Sequence, residues 1–448
     1  METNILLKNV RVIEPGHPQN GNICDVHVGA NGATLLGPDQ EAPAEAEVWD
    51  GADGAVCVSM GWWDGQVDFG EPGAEEREGM ASGLTAAAAG GFTDVVHVST
   101  TDPVVDSQAD VAFLIRQAER CEALTRLHPL GTISRGGHGE VLSDMRELLA
   151  AGAVGFSEDG SVDSPELLRR ALEYLQPLNP PVCAQPLENS LHRHALMHEG
   201  LSSTLMGLQG TPAEAETMRL KRDLDILRYT GGHLHLPVVT TAAACEVIRS
   251  AKAEGLHITC GTSAFHLLFT DEDLVTFDGT LKVMPPFRSS ADREALREAI
   301  WDGTIDCVVS DHRPWNLERH DVEFMLVPFG IAGVDWTFPV LNAALAAARP
   351  AATALERAEK IVEVLGTGPR LIFDPQSKAT QPSMFNPGNP AATAITLFAL
   401  EDSWAPRGHS QAANQPDAAV ASKASATAGQ IHGIITPQGA LKLLPVGH

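Results

Sequence analysis

Cysteine thiolates and histidine imidazoles are the side chains best suited to hold zinc, and this chain has both, but in arrangements that do not favour it. The seven cysteines (Cys24, Cys57, Cys121, Cys183, Cys245, Cys260 and Cys307) are scattered, odd in number and never spaced as C-x-x-C. That pattern suits reduced core thiols better than disulfides or a zinc ribbon. His233 and His235 in GGHLHLP stand two residues apart, which on a strand only brings both rings to one face. An isolated pair falls short of the four donors zinc commonly takes, so the two read as structural or surface histidines. His192, His194 and His198 lie in a polar helical stretch and read as a solvated face.

Any site needs elements to position it. From Leu6 to about Val56 apolar and polar residues alternate, with turn signals at Pro15-Gly16, Asn20-Gly21 and Asn31-Gly32, which predicts short antiparallel strands. Between Gly61 and about Ala348, short apolar runs (FTDVVHV, VVSD, LHITC) alternate with Ala/Leu/Glu-rich helical stretches such as SPELLRRALEYL, DREALREAIW and TAAACEVIRSAKAEG. Repeated strand and helix alternation over that length predicts a parallel (β/α)₈ TIM-like barrel. Beyond about Gly366 strand-like pieces return (ATAITLFAL, GQIHGIIT), separated by a Ser/Ala/Gln/Asn-rich stretch from about Arg407 to Gly429 that reads as a surface loop or disordered segment. The expected organisation is α/β: a barrel over 59–365, and a small composite β-sandwich domain built by the terminal segments 1–58 and 366–448 together.

Bulk properties narrow the function classes. At 448 residues and 44% hydrophobic content, the chain can bury one barrel of roughly 250 residues and a smaller unit. No apolar run approaches the roughly 20 residues needed to cross a bilayer, and METNILLKNV carries no signal-peptide pattern, so a cytoplasmic protein is expected, not a membrane one. A formal net charge of −27 with no basic stretch argues against nucleic acid and acidic membrane surfaces. It fits a solvated acidic surface, as in proteins adapted to high salt, or pairing with a basic partner.

The segment Met60 to Gly73, MGWWDGQVDFGEPG, resembles the first-strand signature of dihydroorotases of the amidohydrolase superfamily, with Asp64 and Glu71-Pro72-Gly73 in place. Further pieces follow in family order: AAAAGGFTDVV, GFSEDG, ENSL and HEG, GTPAEAETMRLKRDL, LLFTDEDL, LKVMPPFR, SDHRPW and PFGIAGVD. A lone Glu-Pro-Gly would be weak, but this many collinear matches over most of the chain indicate common ancestry.

The resemblance implies zinc held by four histidines, an acidic residue or modified lysine, and a final aspartate that is also the general base. Here the four histidine positions fall on Gln66, Asp68, Gln185 and Val238; Glu158 or Asp159 stands at the acidic position and Asp311 at the last. Substrate-binding positions are changed too: Gly70 replaces an arginine, Thr100 and Met284 replace asparagines, and Trp315 replaces a histidine. Met284 and Trp315 are bulky enough to plug the barrel mouth. Catalytic groups of such barrels sit at the C-terminal strand ends, so the side chains of Gln66, Asp68, Gln185, Val238 and Asp311 are expected to converge there, with no metal or other cofactor.

Dihydroorotase interconverts carbamoyl aspartate and dihydroorotate, and zinc would lower the pKa of bound water from about 16 to about 7. Without it, a retained Asp311 supplies at most general-base assistance of about 10² to 10⁴-fold. The reading is therefore a pseudoenzyme of de novo pyrimidine biosynthesis, kept as a scaffold for aspartate transcarbamoylase as inactive family members are, in a homo-oligomer or hetero-complex. One alternative is an active dihydroorotase or other cyclic-amide hydrolase in which Asp68, Asp311 and neighbouring oxygen donors bind Mg²⁺ or Mn²⁺. Another is a small-molecule binding module, which needs an open mouth.

Overall fold

A computed structural model describes residues 4–29, 32–37, 43–158, 160–374, 383–385, 394–400, 430–436 and 439–442. Eight parallel strands follow one another in sequence order: β1 (Trp62–Val67), β2 (Phe92–His97), β3 (Arg126–Thr132), β4 (Gly155–Ser157), β5 (Pro181–Cys183), β6 (His233–Leu236), β7 (Ile258–Ser263) and β8 (Cys307–Val309). A parallel bridge between Val67 and His312 brings the segment after β8 back to the end of β1, giving a nearly closed barrel. Every residue of β2, β6 and β8 is buried, as expected of strands covered by side chains inside and helices outside.

The helices carry readable stop and start signals. In Pro165–Leu175 the Ser164 hydroxyl accepts from the Leu167 amide (3.2 Å) and Pro165 opens the first turn. Its Leu167, Leu168, Ala171, Leu172 and Leu175 form the buried stripe, each leucine contributing roughly 1.5–3 kcal/mol by its removal from water. Thr241 caps Ala242–Ala253 in the same way.

The two ends of the chain meet in one sheet. Cys57–Met60 runs parallel to Ile5–Val12 and antiparallel to Ile395–Ala399, which pairs in turn with Gln430–Thr436. Strands Ile23–Gly29, Gly32–Leu36, Glu47–Asp50 and Gly439–Lys442 complete it. The polar stretch from Arg407 to Gly429 lies outside the described residues, as does Asp159. Among the described residues no helix is long and apolar enough to cross a membrane.

Candidate active site

A cavity of about 390 Å³ opens at the C-terminal ends of the barrel strands. Gln66, Thr100, Glu158, Gln185, His192, His235, Met284 and Arg313 are among its walls. Among the described residues none plugs the mouth. Met284 forms part of the wall, whereas Trp315 is turned away: its Nε1 donates to the Phe329 carbonyl (3.0 Å) and its ring lies 4.3 Å from the Arg77 guanidinium.

The five side chains expected at one point are only partly together. Gln66 Nε2 donates to Asp311 Oδ1 (2.7 Å), and Gln185 Nε2 to the Val238 carbonyl (2.6 Å). The Val238 side chain itself packs in the barrel interior with Trp63, Leu130, Val309 and Phe373, because an isopropyl group gains nothing from a polar rim. Asp68 is buried and points elsewhere, its Oδ2 accepting from Arg77 Nη1 (3.0 Å) and its Oδ1 from the Gly70 amide (3.0 Å). Burial alone would raise the Asp68 carboxyl, but Arg77 and Arg313 outweigh it and hold it below the usual carboxylate range.

Glu158, also buried, accepts from the Ser134 amide (2.5 Å) and hydroxyl (2.9 Å) beyond β3. Asp311 has a left-handed backbone (φ 49°), a region aspartate tolerates better than most residues. Its neighbour His312 is pinned on both sides: Nε2 meets the buried Glu78 carboxylate (2.6 Å) and Nδ1 accepts from the Gly333 amide (3.1 Å). Asp64, fully buried below, accepts from the Ser310 and Gln66 amides (3.1 and 3.2 Å) and so joins the end of β1 to that of β8. Burial pushes its carboxyl up to about 6, against the hydrogen bonds from Ser310 and Gln66.

Gly70 is a backbone requirement. Its φ of 76° is left-handed, and a Cβ there would lie 2.6 Å from the Ala74 carbonyl oxygen and 3.2 Å from Arg77 Cβ and Cδ. Arg77 thus fills the space beside it. The pocket has not lost every cation either, since Arg313 stands in its wall with Nε 3.1 Å from Asp311 Oδ1. Arg77 and Arg313 were not singled out by sequence, because their partners are fixed only by folding; the nearest signal was the replacement-rich run SDHRPW.

Of the histidines read from sequence, His235 and His192 take places at the cavity that were not expected of them. His233 and His235 are both buried and share Thr259 Oγ1 (2.8 and 2.9 Å), as same-face neighbours on β6 should. They are thus structural, not surface, residues, and His235 also lines the cavity, where burial pushes its imidazole down to about 3. His192 is not simply solvated: it lines the cavity and its Nε2 meets Asn189 Oδ1 (2.7 Å). All seven cysteines are free thiols, five of them buried.

The donor set does not fit the zinc that the resemblance implies. Among the described residues no group of three or more His, Cys, Asp or Glu side chains is placed to hold a metal ion.

A near-closed parallel barrel with carboxylates at its strand ends and a sheet from both termini is an amidohydrolase fold. Solved structures agree: L-hydantoinase (dihydropyrimidinase) from Arthrobacter aurescens superposes with a TM-score of 0.80 at 18% identity, covering 100% of this chain and 99% of that one. Dihydropyrimidinase from Brevibacillus agri NCHU1002 gives 0.79 at 17% identity, covering 98% and 95%. At such identities the likeness concerns the fold alone.

Sequence takes the assignment further. A family model described as dihydro-orotase-like matches residues 57–244. Dihydroorotase from Geobacter sp. (strain M21) is 38% identical over 339 residues, 75% of this chain and 79% of its own length. That from Pelotomaculum thermopropionicum is 38% identical over 359 residues, 78% and 83%, and that from Deinococcus radiodurans 38% over 300 residues, 67% and 71%. The chain belongs to the dihydroorotase-like family.

Proposed function

We propose that this protein is a non-catalytic member of its family that serves pyrimidine biosynthesis as a structural partner of aspartate transcarbamoylase. The observation that carries the first half is the state of the barrel-mouth donors: Asp68 and Asp311 are each paired with an arginine, and Gln66 and Gln185 are hydrogen-bonded within the chain. Among the described residues no group of three or more His, Cys, Asp or Glu side chains is placed to hold the metal with which the family chemistry activates water and polarises an amide. Support for a protein partner comes from large apolar side chains exposed on neighbouring segments: Leu201 and Leu205, Val275 and Phe277, Met325 and Leu326. Helix Leu201–Met206 packs on the turn Asp271–Thr276, and the Phe277 ring meets that of Phe324 (5.7 Å), so these segments adjoin.

The test is elemental analysis of protein purified without chelators, with assays of carbamoyl aspartate cyclisation and dihydroorotate hydrolysis in the presence of Zn²⁺, Mn²⁺ and Mg²⁺, followed by co-elution with the aspartate transcarbamoylase of the same organism. Less than about a tenth of a metal per chain, no turnover and a stoichiometric complex are expected. Turnover abolished by Asp311→Ala would overturn the first half, and separate elution the second. The open cavity favours one further reading, a small-molecule binding module, in which a ligand of the barrel mouth tunes the assembly.

A further inference from the structure

Three carboxylates are buried at the C-terminal ends of the barrel strands. Asp68, Glu158 and Asp311 are 6%, 7% and 5% exposed, and a buried carboxylate persists only where it is paired or well hydrogen-bonded. Glu158 has the Ser134 amide and hydroxyl. The other two have arginines, and both arginines are fixed by one short segment. Asp311 and Arg313 pair within Ser310–Trp315. Arg77, which pairs with Asp68, donates from Nε to the Pro314 carbonyl (2.9 Å) and lies over the Trp315 ring.

We infer that Arg77 and Arg313 are the resident cations of the C-terminal strand ends, supplying from the chain itself the positive charge that keeps Asp68 and Asp311 buried there without a metal ion. Several otherwise unrelated features then have one cause. Trp315 serves as the platform that orients the Arg77 guanidinium, an arrangement favoured by the attraction between a planar cation and an indole face. Gly70 leaves the space through which the Arg77 stem passes. Gln66 adds a neutral donor to Asp311 Oδ1, the oxygen that Arg313 also approaches. A guanidinium is always charged and offers directed donors, so neither pair is lost by deprotonation of its cation. This inference concerns how the mouth is held together and stands whether or not a transcarbamoylase is the partner.

Charge-removal cycles read by thermal unfolding test it, with the chelator-treated full chain as parent. Arg313→Met and Arg77→Met keep most of the stem but remove the charge, and each should lower the midpoint by roughly 3–5 °C by stranding a buried carboxylate. Adding Asp311→Asn to Arg313→Met, or Asp68→Asn to Arg77→Met, should recover most of that loss, whereas the crossed combinations should not. The parent should show no midpoint shift with Zn²⁺, Mn²⁺ or Mg²⁺ and retain none after dialysis. A single variant that fails to fold leaves the double variant as the measurement, since a matched pair lacking both charges must fold. The inference is overturned by a stoichiometric, stabilising metal in the parent, by single variants as stable as the parent, or by matched doubles no better than crossed ones.

Discussion

Gln66 and Asp311, 245 residues apart in sequence, are joined by a 2.7 Å hydrogen bond from amide to carboxylate across the ends of the first and eighth strands. The bond supports the barrel where it closes. Replacing Gln66 by leucine keeps the approximate size but removes a donor from a buried carboxylate, and such losses cost about 2 kcal/mol. The expected result in urea is a lower midpoint at unchanged slope; an unaltered midpoint would mean that Arg313 alone satisfies Asp311.

Below that contact, Asp64 accepts the Ser310 and Gln66 amides while fully buried. Asp64→Ala strands both N–H groups and leaves a small void, a loss of about 2–4 kcal/mol. Asp64→Asn retains an acceptor oxygen and should lose clearly less. Equal losses for the two variants, measured at pH 7, would show that the carboxylate charge matters there and the acceptor geometry does not.

The contrast between these two residues also shows what a sequence can disclose. The barrel strands were legible because strands buried on both faces read as short apolar runs: FTDVVHV contains β2 and LHITC overlaps β7. Helix starts were legible from local chemistry, as at Ser164-Pro165. Spacing told which strand face His233 and His235 share, but not that this part of the barrel borders a cavity, so His235 was undervalued. Arg77 and Arg313 were invisible as partners because nothing local distinguishes an arginine that will meet a buried aspartate from one bound for solvent. The plug expected from Met284 and Trp315 failed for a related reason. Side-chain volume is readable in sequence, whereas the direction of Trp315, set by Phe329 and Arg77, is not.

The exposed apolar side chains of the adjoining segments 201–206, 271–277 and 324–326 give a prediction specific to the proposed assembly. Leu205 and Met325 are 74% and 65% exposed, so Leu205→Asp and Met325→Asp should leave thermal unfolding within about 1 °C of the parent, as surface changes usually do. If this surface receives the transcarbamoylase, a charge buried at its centre should weaken co-elution by more than tenfold. Undiminished complex formation by both variants would move the contact to another face.

His235 supplies the pH dependence. Its ring is buried in the cavity wall, burial holds its imidazole down to about 3, and Nδ1 is engaged with Thr259 Oγ1. An unfolded histidine takes up its proton near pH 6.5. Above that pH both states are neutral at this residue and it adds no pH dependence. Between about 6.5 and about 3 the unfolded chain carries one more proton than the folded chain, so the stability contributed by this group falls as the pH falls, by about 1.4 kcal/mol per unit. Asp64 titrates in the opposite sense over part of the same range, because its carboxyl is raised to about 6, so the parent curve alone would conceal the effect. The measurement is therefore a difference: unfolding free energies of parent and His235→Gln from pH 7.5 to 5. Glutamine cannot titrate, and the variant should gain on the parent steadily below pH 6.5 while their difference stays constant above it. A difference independent of pH would place the His235 imidazole near its unfolded value and in contact with solvent through the cavity.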